Sequence, residues 1–170
     1  SLHDALPISC VLVCGDDVEI GTKRPVPHII NTASKWMPDS EDVMGWEVKN
    51  SGLHVVFSKS IPTIISKWLG PFMHEFLSEE KITSEDIVNF VAHPGGKKVL
   101  KAYEDTLHLS EDQTATSREV LKNHGNMSSP TVLYVLEQFM LKESAPNDYG
   151  MLVALGPGFC GEAVLLNWRD

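Results

Sequence analysis

The run Ile87-Val-Asn-Phe-Val-Ala92 is apolar at five of its six positions and stops at His93-Pro-Gly-Gly96. A short apolar run closed by Pro and Gly suits a strand better than a helix, and a strand here delivers His93 at its C-terminal end. Helix-period segments stand on both sides of it. Upstream, Ile61, Ile64, Ile65, Trp68, Leu69, Phe72 and Phe76 recur at helical spacing, with Pro62 tolerated in the first turn. Downstream, Gly95 and Gly96 turn the chain into a helix expected from about Lys97 to Leu107. A strand between two helices directs the chain towards an α/β architecture.

The remaining elements extend that pattern. Cys10-Val-Leu-Val-Cys14 reads as a buried strand ending at Gly15-Asp16-Asp17, and extended segments are expected over Val26 to Lys35 and Leu53 to Ser58. Thr83-Ser-Glu-Asp86 reads as a helix or turn start. Thr116-Ser-Arg-Glu119 has the capping-box pattern of a helix that ends at Gly125. Ser128-Ser129-Pro130 opens another that runs to about Lys142, apolar almost all round and therefore expected to be buried. Met151 to Leu155 and Ala163 to Trp168 are closing strands joined by Gly156-Pro-Gly158. Strands that alternate with helices and pair at the end predict a layered domain with a mixed sheet packed by helices.

With 170 residues, 42% hydrophobic and 22% charged, the chain can bury a core as one domain or part of a larger one. Its net charge of −9 excludes a broadly basic surface for nucleic acid or anionic membrane. No apolar run approaches the roughly 20 residues that span a bilayer, and no signal-peptide pattern is seen, so a cytoplasmic location is expected. Three cysteines fit a reducing compartment better than a disulfide framework. Cys10 and Cys14, four residues apart on a strand, lie about 13 Å from each other and cannot bridge.

Two residues carry the candidate chemistry: His93, and Asn126 in His124-Gly-Asn-Met-Ser-Ser-Pro130. Each sits where the backbone turns sharply after a regular element. Together a His and an Asn can handle a proton and hold a developing oxyanion, but neither is a strong nucleophile towards a thioester. Cys160 is the local candidate for that role; it lies in a strand-turn segment without a helix N-terminus to lower its pKa, and a buried structural thiol is expected. Gly156-Pro-Gly-Phe-Cys-Gly161 matches G-x-G-x-x-G but is followed by a strand-like segment and only nine residues, too few for a dinucleotide site. A tight turn lining a pocket is the simpler reading. His3, His28, His54, His74, His108 and His124 show no ligand spacing, so no metal site is expected.

The ordered set His93-Pro-Gly-Gly96, Thr116-Ser-Arg-Glu-Val-Leu121, Gly125-Asn-Met-Ser-Ser129 and Gly156-Pro-Gly158 resembles the C-terminal half of a type III polyketide synthase, the chalcone and stilbene synthase family of the thiolase-like superfamily. The resemblance runs from about Cys10 to Asp170. It implies a thiolase-like α/β fold of helix and sheet layers, with residues 10–170 forming the C-terminal domain. It further implies an acyltransferase that condenses an acyl-CoA starter with malonyl-CoA by decarboxylative Claisen chemistry, with CoA thioesters as substrates and no further cofactor. His93 and Asn126 would be its catalytic pair and Gly156, Pro157 and Gly158 a wall of its pocket. The backbone from Gly95 and Gly96 to Lys98 would hold the pantetheine arm, with Lys97 or Lys98 meeting CoA phosphate. The partners implied are an N-terminal half bearing the nucleophilic Cys and, for the full enzyme, a second subunit in a homodimer; this chain alone would be inactive.

Three departures sharpen the resemblance. Ala154-Leu-Gly-Pro-Gly158 looks like bacterial members, where plant enzymes have Gly-Phe-Gly-Pro-Gly. Counting from Gly52-Leu53, the position of a plant pocket Phe falls on Val55, whose smaller side chain suits a different starter such as a fatty acyl chain. Residues 1–9 do not match the family and read as a non-native or misread leader. Two other readings are a ketoacyl carrier-protein synthase type of condensing enzyme, which needs a basic docking patch, and a non-catalytic dimerisation or scaffold module of the same fold.

Overall fold

The structure, a computed structural model, describes residues 24–142 and 144–169. The expected leader and the strand from Cys10 to Cys14 lie outside the described residues. In chain order the elements are β1 (Val26–Trp36), β2 (Met44–Lys49), β3 (Gly52–Phe57), α1 (Ile61–Ile64), a π-helical turn (Ile65–Leu69), α2 (Gly70–Glu79), a 3-10 turn (Ser84–Asp86) and β4 (Ile87–Ala92). There follow α3 (Lys97–Leu107), α4 (Ala115–His124), α5 (Pro130–Leu141), β5 (Tyr149–Gly156) and β6 (Cys160–Arg169).

Four strands form a mixed sheet in the order β1-β6-β5-β4. β6 is antiparallel to both β1 and β5, whereas β4 and β5 are parallel. Parallel neighbours require a crossover, and α3, α4 and α5 supply it. Both faces of the sheet are covered, and side chains sort between them with the period of two that strand geometry imposes. Phe90, Met151, Val153, Ala163 and Leu165 pack with Leu69, Phe72, Phe76, Leu100 and Tyr103 on one face. Val91, Leu166 and Trp168 pack with Val120, Val135 and Phe139 on the other. β4 is buried at five of its six positions, Val88 being the exposed one. The expected α/β layering, the strand ahead of His93 and the bounds of α3 are all found.

Four local readings differ. The segment after β1 folds into a ribbon in which β2 pairs antiparallel with β3, a partner the sequence pattern did not reveal. The helix expected from Ile61 to Phe76 carries the π-helical turn Ile65–Leu69, closed by a Gly70 N–H to Ile65 O bond. Pro71 is the cause: its ring would press on the carbonyl of Lys67 four residues earlier and it has no N–H to offer, so the turn widens. Thr116 is not a cap, since α4 begins at Ala115 behind Thr114 and the Thr116 hydroxyl accepts instead from Lys142 Nζ at 2.6 Å. α5 buries one stripe, Thr131, Tyr134, Val135 and Phe139, while Met140 and Leu141 are exposed at its C-terminal end.

β5 also contains a position set by close approach. A Cβ on Gly150 would lie 2.4 Å from Cζ3 of the fully buried Trp168 and 3.2 Å from the Asn89 carbonyl oxygen. Gly150→Ala is therefore expected to destabilise by about 1–3 kcal/mol through overpacking. The check is urea unfolding, where the midpoint falls and the slope stays constant.

Candidate active site

The C-terminal ends of β4 and β5 lie at the same edge of the sheet, and parallel strands commonly hold ligands beyond that edge. His93 is the first residue past β4, and its N–H donates to Val153 O at 2.8 Å, extending the ladder by one bond. Its backbone is thus fixed by the sheet while its half-buried ring makes no hydrogen bond among the described residues. Burial pushes the imidazole below its usual value, so at pH 7 it is neutral, one nitrogen a donor and the other an acceptor.

Asn126 reaches the same place from another element. α4 ends at Gly125, which takes φ +74° while its N–H returns to Leu121 O at 3.0 Å. Asn126 Nδ2 donates to Gly95 O at 3.2 Å and its Oδ1 accepts from the Ser128 N–H at 2.9 Å. Ser128 is left-handed, φ +64°, a conformation that costs a non-glycine residue of order 1 kcal/mol and persists where its surroundings impose it. The Met127 N–H is held by the buried Thr131 hydroxyl at 2.8 Å. The Asn126 side chain is anchored at both ends yet exposed, with one amide hydrogen left for a ligand. Gly95, whose N–H also closes onto His93 O at 3.0 Å, joins the two residues.

Two further contacts fasten this arrangement. The buried Ser117 hydroxyl on α4 donates to Ala92 O at 2.8 Å, one residue before His93. The buried carboxylate of Glu104 on α3 accepts from the Thr114 hydroxyl and from Arg118 on α4. Burial acts to raise the Glu104 pKa, but the hydrogen bonds from Thr114 and Arg118 outweigh it and hold the group below the usual carboxylate range. α3 leaves from His93-Pro-Gly-Gly96 and α4 arrives at Asn126, so the ion pair ties the two approaches together. Sequence reasoning missed both contacts, although Ser117 and Arg118 lie inside the Thr116-Ser-Arg-Glu119 stretch it took for a capping box.

The other expected site residues reach the sheet edge by separate routes. β5 continues three residues past Val153 to Gly156, where the turn through the exposed Pro157 and Gly158 leads into β6. The Gly158 N–H donates to Met44 O at 2.8 Å and its carbonyl accepts from the Ser40 hydroxyl at 3.2 Å, hooking the turn to β2. Val55 lies opposite Trp46 on one face of the β2–β3 ribbon and is 61% exposed. Gly96 precedes α3, and Lys98 lies exposed in its first turn. Cys160 is half-buried rather than buried and begins a strand, close against Gly156. Among the described residues no group of three His, Cys, Asp or Glu side chains is placed to hold a metal ion, and no helix is long and apolar enough to cross a membrane.

Residues 28–168 match the family described as chalcone and stilbene synthases, C-terminal domain. The chain belongs to the chalcone and stilbene synthase family. It is 40% identical to a chalcone synthase-like protein of Bacillus subtilis (strain 168) over 95% of this chain and 45% of that protein. It is 38% identical to the 1,3,6,8-tetrahydroxynaphthalene synthase of Streptomyces peucetius subsp. caesius over 84% of this chain and 38% of that one. Among solved structures, the 1,3,6,8-tetrahydroxynaphthalene synthase of Streptomyces coelicolor A3(2), a bacterial type III polyketide synthase, superposes with a TM-score of 0.80 at 26% identity, covering 88% of this chain and 43% of that chain. The chain spans less than half the length of the curated relatives it matches. Its α/β layers are therefore those of the C-terminal domain of a type III polyketide synthase.

Two outcomes follow from this geometry. Arg118→Met leaves the Glu104 carboxylate buried without its guanidinium, and a loss on the order of 3 kcal/mol is expected in chemical unfolding. Replacing both residues with Leu removes the uncompensated charge and should recover most of that loss. The second concerns acid: because folding lowers the His93 pKa, the unfolded chain binds a proton that the folded chain resists. The His93 contribution is present above the unfolded value of about 6.5 and is lost as the pH falls below it. NMR titration of the His93 ring should give a midpoint below 6.5, and His93→Gln should flatten the pH dependence of stability in that window.

Proposed function

We propose that this chain supplies the histidine and asparagine of a Cys-His-Asn site in a type III polyketide synthase that condenses an acyl-CoA starter with malonyl-CoA. The single observation that carries this reading is that His93 and Asn126 are both anchored on Gly95 at the C-terminal edge of two parallel strands, one ring half-buried and one amide exposed. The nucleophilic Cys is assigned to residues outside this chain, because neither His93 nor Asn126 can attack a thioester and Cys160 lies against the β5–β6 turn. CoA thioesters are the substrates, and the chemistry calls for no other cofactor.

The neutral imidazole suits the first step. It takes the proton of the Cys thiol, and the thiolate attacks the starter thioester carbonyl; the new C–S bond forms as CoA thiolate leaves. Malonyl-CoA then loses carbon dioxide, and the electron pair of the broken C–C bond moves to the thioester, whose oxygen becomes an enolate. His93 and the free Asn126 amide hydrogen donate to that oxygen, aimed where charge develops. The enolate carbon attacks the acyl-Cys carbonyl, forming a C–C bond and releasing the Cys thiolate, so the chain grows by two carbons. Gly156, Pro157, Gly158 and Val55 form part of the wall around the growing chain. Gly95, Gly96 and Lys98 pass the pantetheine arm. A carrier-protein synthase reading and a scaffold reading predict, respectively, no use of CoA thioesters and no effect of either substitution.

The test is malonyl-CoA decarboxylation and starter loading by this chain joined to a cysteine-bearing N-terminal half. Asn126→Ala is expected to slow decarboxylation by about 100-fold or more while leaving starter loading near its original rate. His93→Gln is expected to slow both. Unchanged rates in both variants would sink the assignment.

A further inference from the structure

The peptide group that joins Ala92 to His93 is held at both ends. Its N–H donates to Val153 O on β5 at 2.8 Å, and its C=O, which a trans peptide points the opposite way, accepts from the Ser117 hydroxyl on α4 at 2.8 Å. β4 is the last strand of the four-stranded sheet, so among the described residues that carbonyl has no further strand to pair with. A buried backbone carbonyl needs a partner, and Ala92 and Ser117 are both fully buried, so solvent does not replace the hydroxyl. Held at one end, such a peptide plane can swing about its bond. Held at both, it is confined, and so is the Cα from which the imidazole departs.

The same helix returns to the site at its other end. From Ser117 to its cap at Gly125, α4 rises about 12 Å, and the next residue, Asn126, donates from Nδ2 to Gly95 O at 3.2 Å. α4 is thus fastened to the carbonyl just before His93 and to a carbonyl two residues after it. The imidazole lies beside the second fastening, since a Cβ on Gly95 would stand 3.9 Å from His93 Cδ2. A regular helix has a fixed rise per residue, so the two bonds make α4 a spacer that sets Asn126 against His93. From its buried position Ser117 acts on the chemistry only through those two residues.

We infer that Ser117 is a positioning residue, which sets the distance between the His93 ring and the Asn126 amide for the step that uses both, the decarboxylation of malonyl-CoA. The inference rests on the condensing-enzyme reading above, in which starter loading asks for the His93 base alone and so depends less on that distance. The test uses this chain joined to a cysteine-bearing N-terminal half and carrying Ser117→Ala, a substitution that a helix favours. Without substrate, amide hydrogen exchange at His93 should quicken at least about tenfold, while Leu165 on β6 exchanges as in the parent. With substrate, kcat for decarboxylation should fall at least about tenfold with KM near its parent value, and starter loading should fall by less. A serine that served stability alone would speed exchange at His93 and Leu165 alike and slow both steps to the same degree. That result, or unchanged exchange at His93, overturns the inference. If the catalytic reading itself fails, His93→Gln and Asn126→Ala leave decarboxylation unchanged; if only this inference fails, those two variants are impaired and Ser117→Ala is not.

Discussion

Everything in this fold depends on β4 and β6 burying side chains on both faces of the sheet. Phe90 and Val91, neighbours on β4, point into different cores, and Leu165 and Leu166 do the same on β6. Burying both sides of a sheet removes each strand's polar side chains from the interior, because an unpaired polar group there costs several kcal/mol. Asn89, the polar exception on β4, is its third residue and donates to the Ser144 hydroxyl at 3.3 Å. Chemistry can then be mounted only where the strands end. The crossover that makes β4 and β5 parallel puts two such ends side by side, and His93 and the Gly156 turn occupy them.

Placement at an edge does not by itself fix a distance between two side chains on different elements. His93 gets its backbone position from the sheet through Val153, while Asn126 comes from the end of a helix on the opposite layer. Three connections bridge that gap at different depths: Asn126 to the Gly95 carbonyl at the surface, Ser117 to the Ala92 carbonyl beneath it, and Glu104 to Arg118 further along α3 and α4. The Ser117 bond is the most deeply buried, and the Glu104–Arg118 bond is ionic. A buried ion pair adds little net stability compared with an apolar pair, but its bonds are directional and break steeply when one partner is lost. Its value here is register between two helices that would otherwise slide on an apolar contact.

The sequence shows its long-range plan more clearly than its fastenings. Periods of 3.6 and 2 are written along many residues, so α3, β4, β5 and β6 were legible, and His93 and Asn126 stood out because each sits at the end of such a run. The β2–β3 ribbon was half missed for a physical reason: Met44, Trp46 and Val48 alternate with Gly45, Glu47 and Lys49, but the run is short and follows the polar stretch Pro38-Asp-Ser-Glu-Asp42. Its apolar side, Trp46 with Val55 and Val48 with Leu53, is exposed in this chain, so burial gives the pattern no support. Ser117, Glu104 and Arg118 were unreadable because a partner 14 or 25 residues away leaves no local signature. The π-helical turn is the intermediate case, since Pro71 announces a disturbance without saying whether the helix kinks, ends or widens.

The protonation state of His93 links the fold to the chemistry. Partial burial disfavours the imidazolium, so the ring waits in its neutral form, which can accept a proton but cannot by itself hold a thiolate in place. Two opposite charges 4 Å apart at an effective dielectric near 20 attract by about 4 kcal/mol, equivalent to roughly three pKa units. That attraction acts against the burial that lowers the His93 pKa. In the proposed enzyme the imidazole is neutral before a thiol approaches and gains its charge as the thiolate forms. In the proposed reading the burial that makes the ring a base belongs to this chain and the thiolate that would charge it does not, so the fold sets the positions of His93 and Asn126 and the proposed cysteine would set their reactivity.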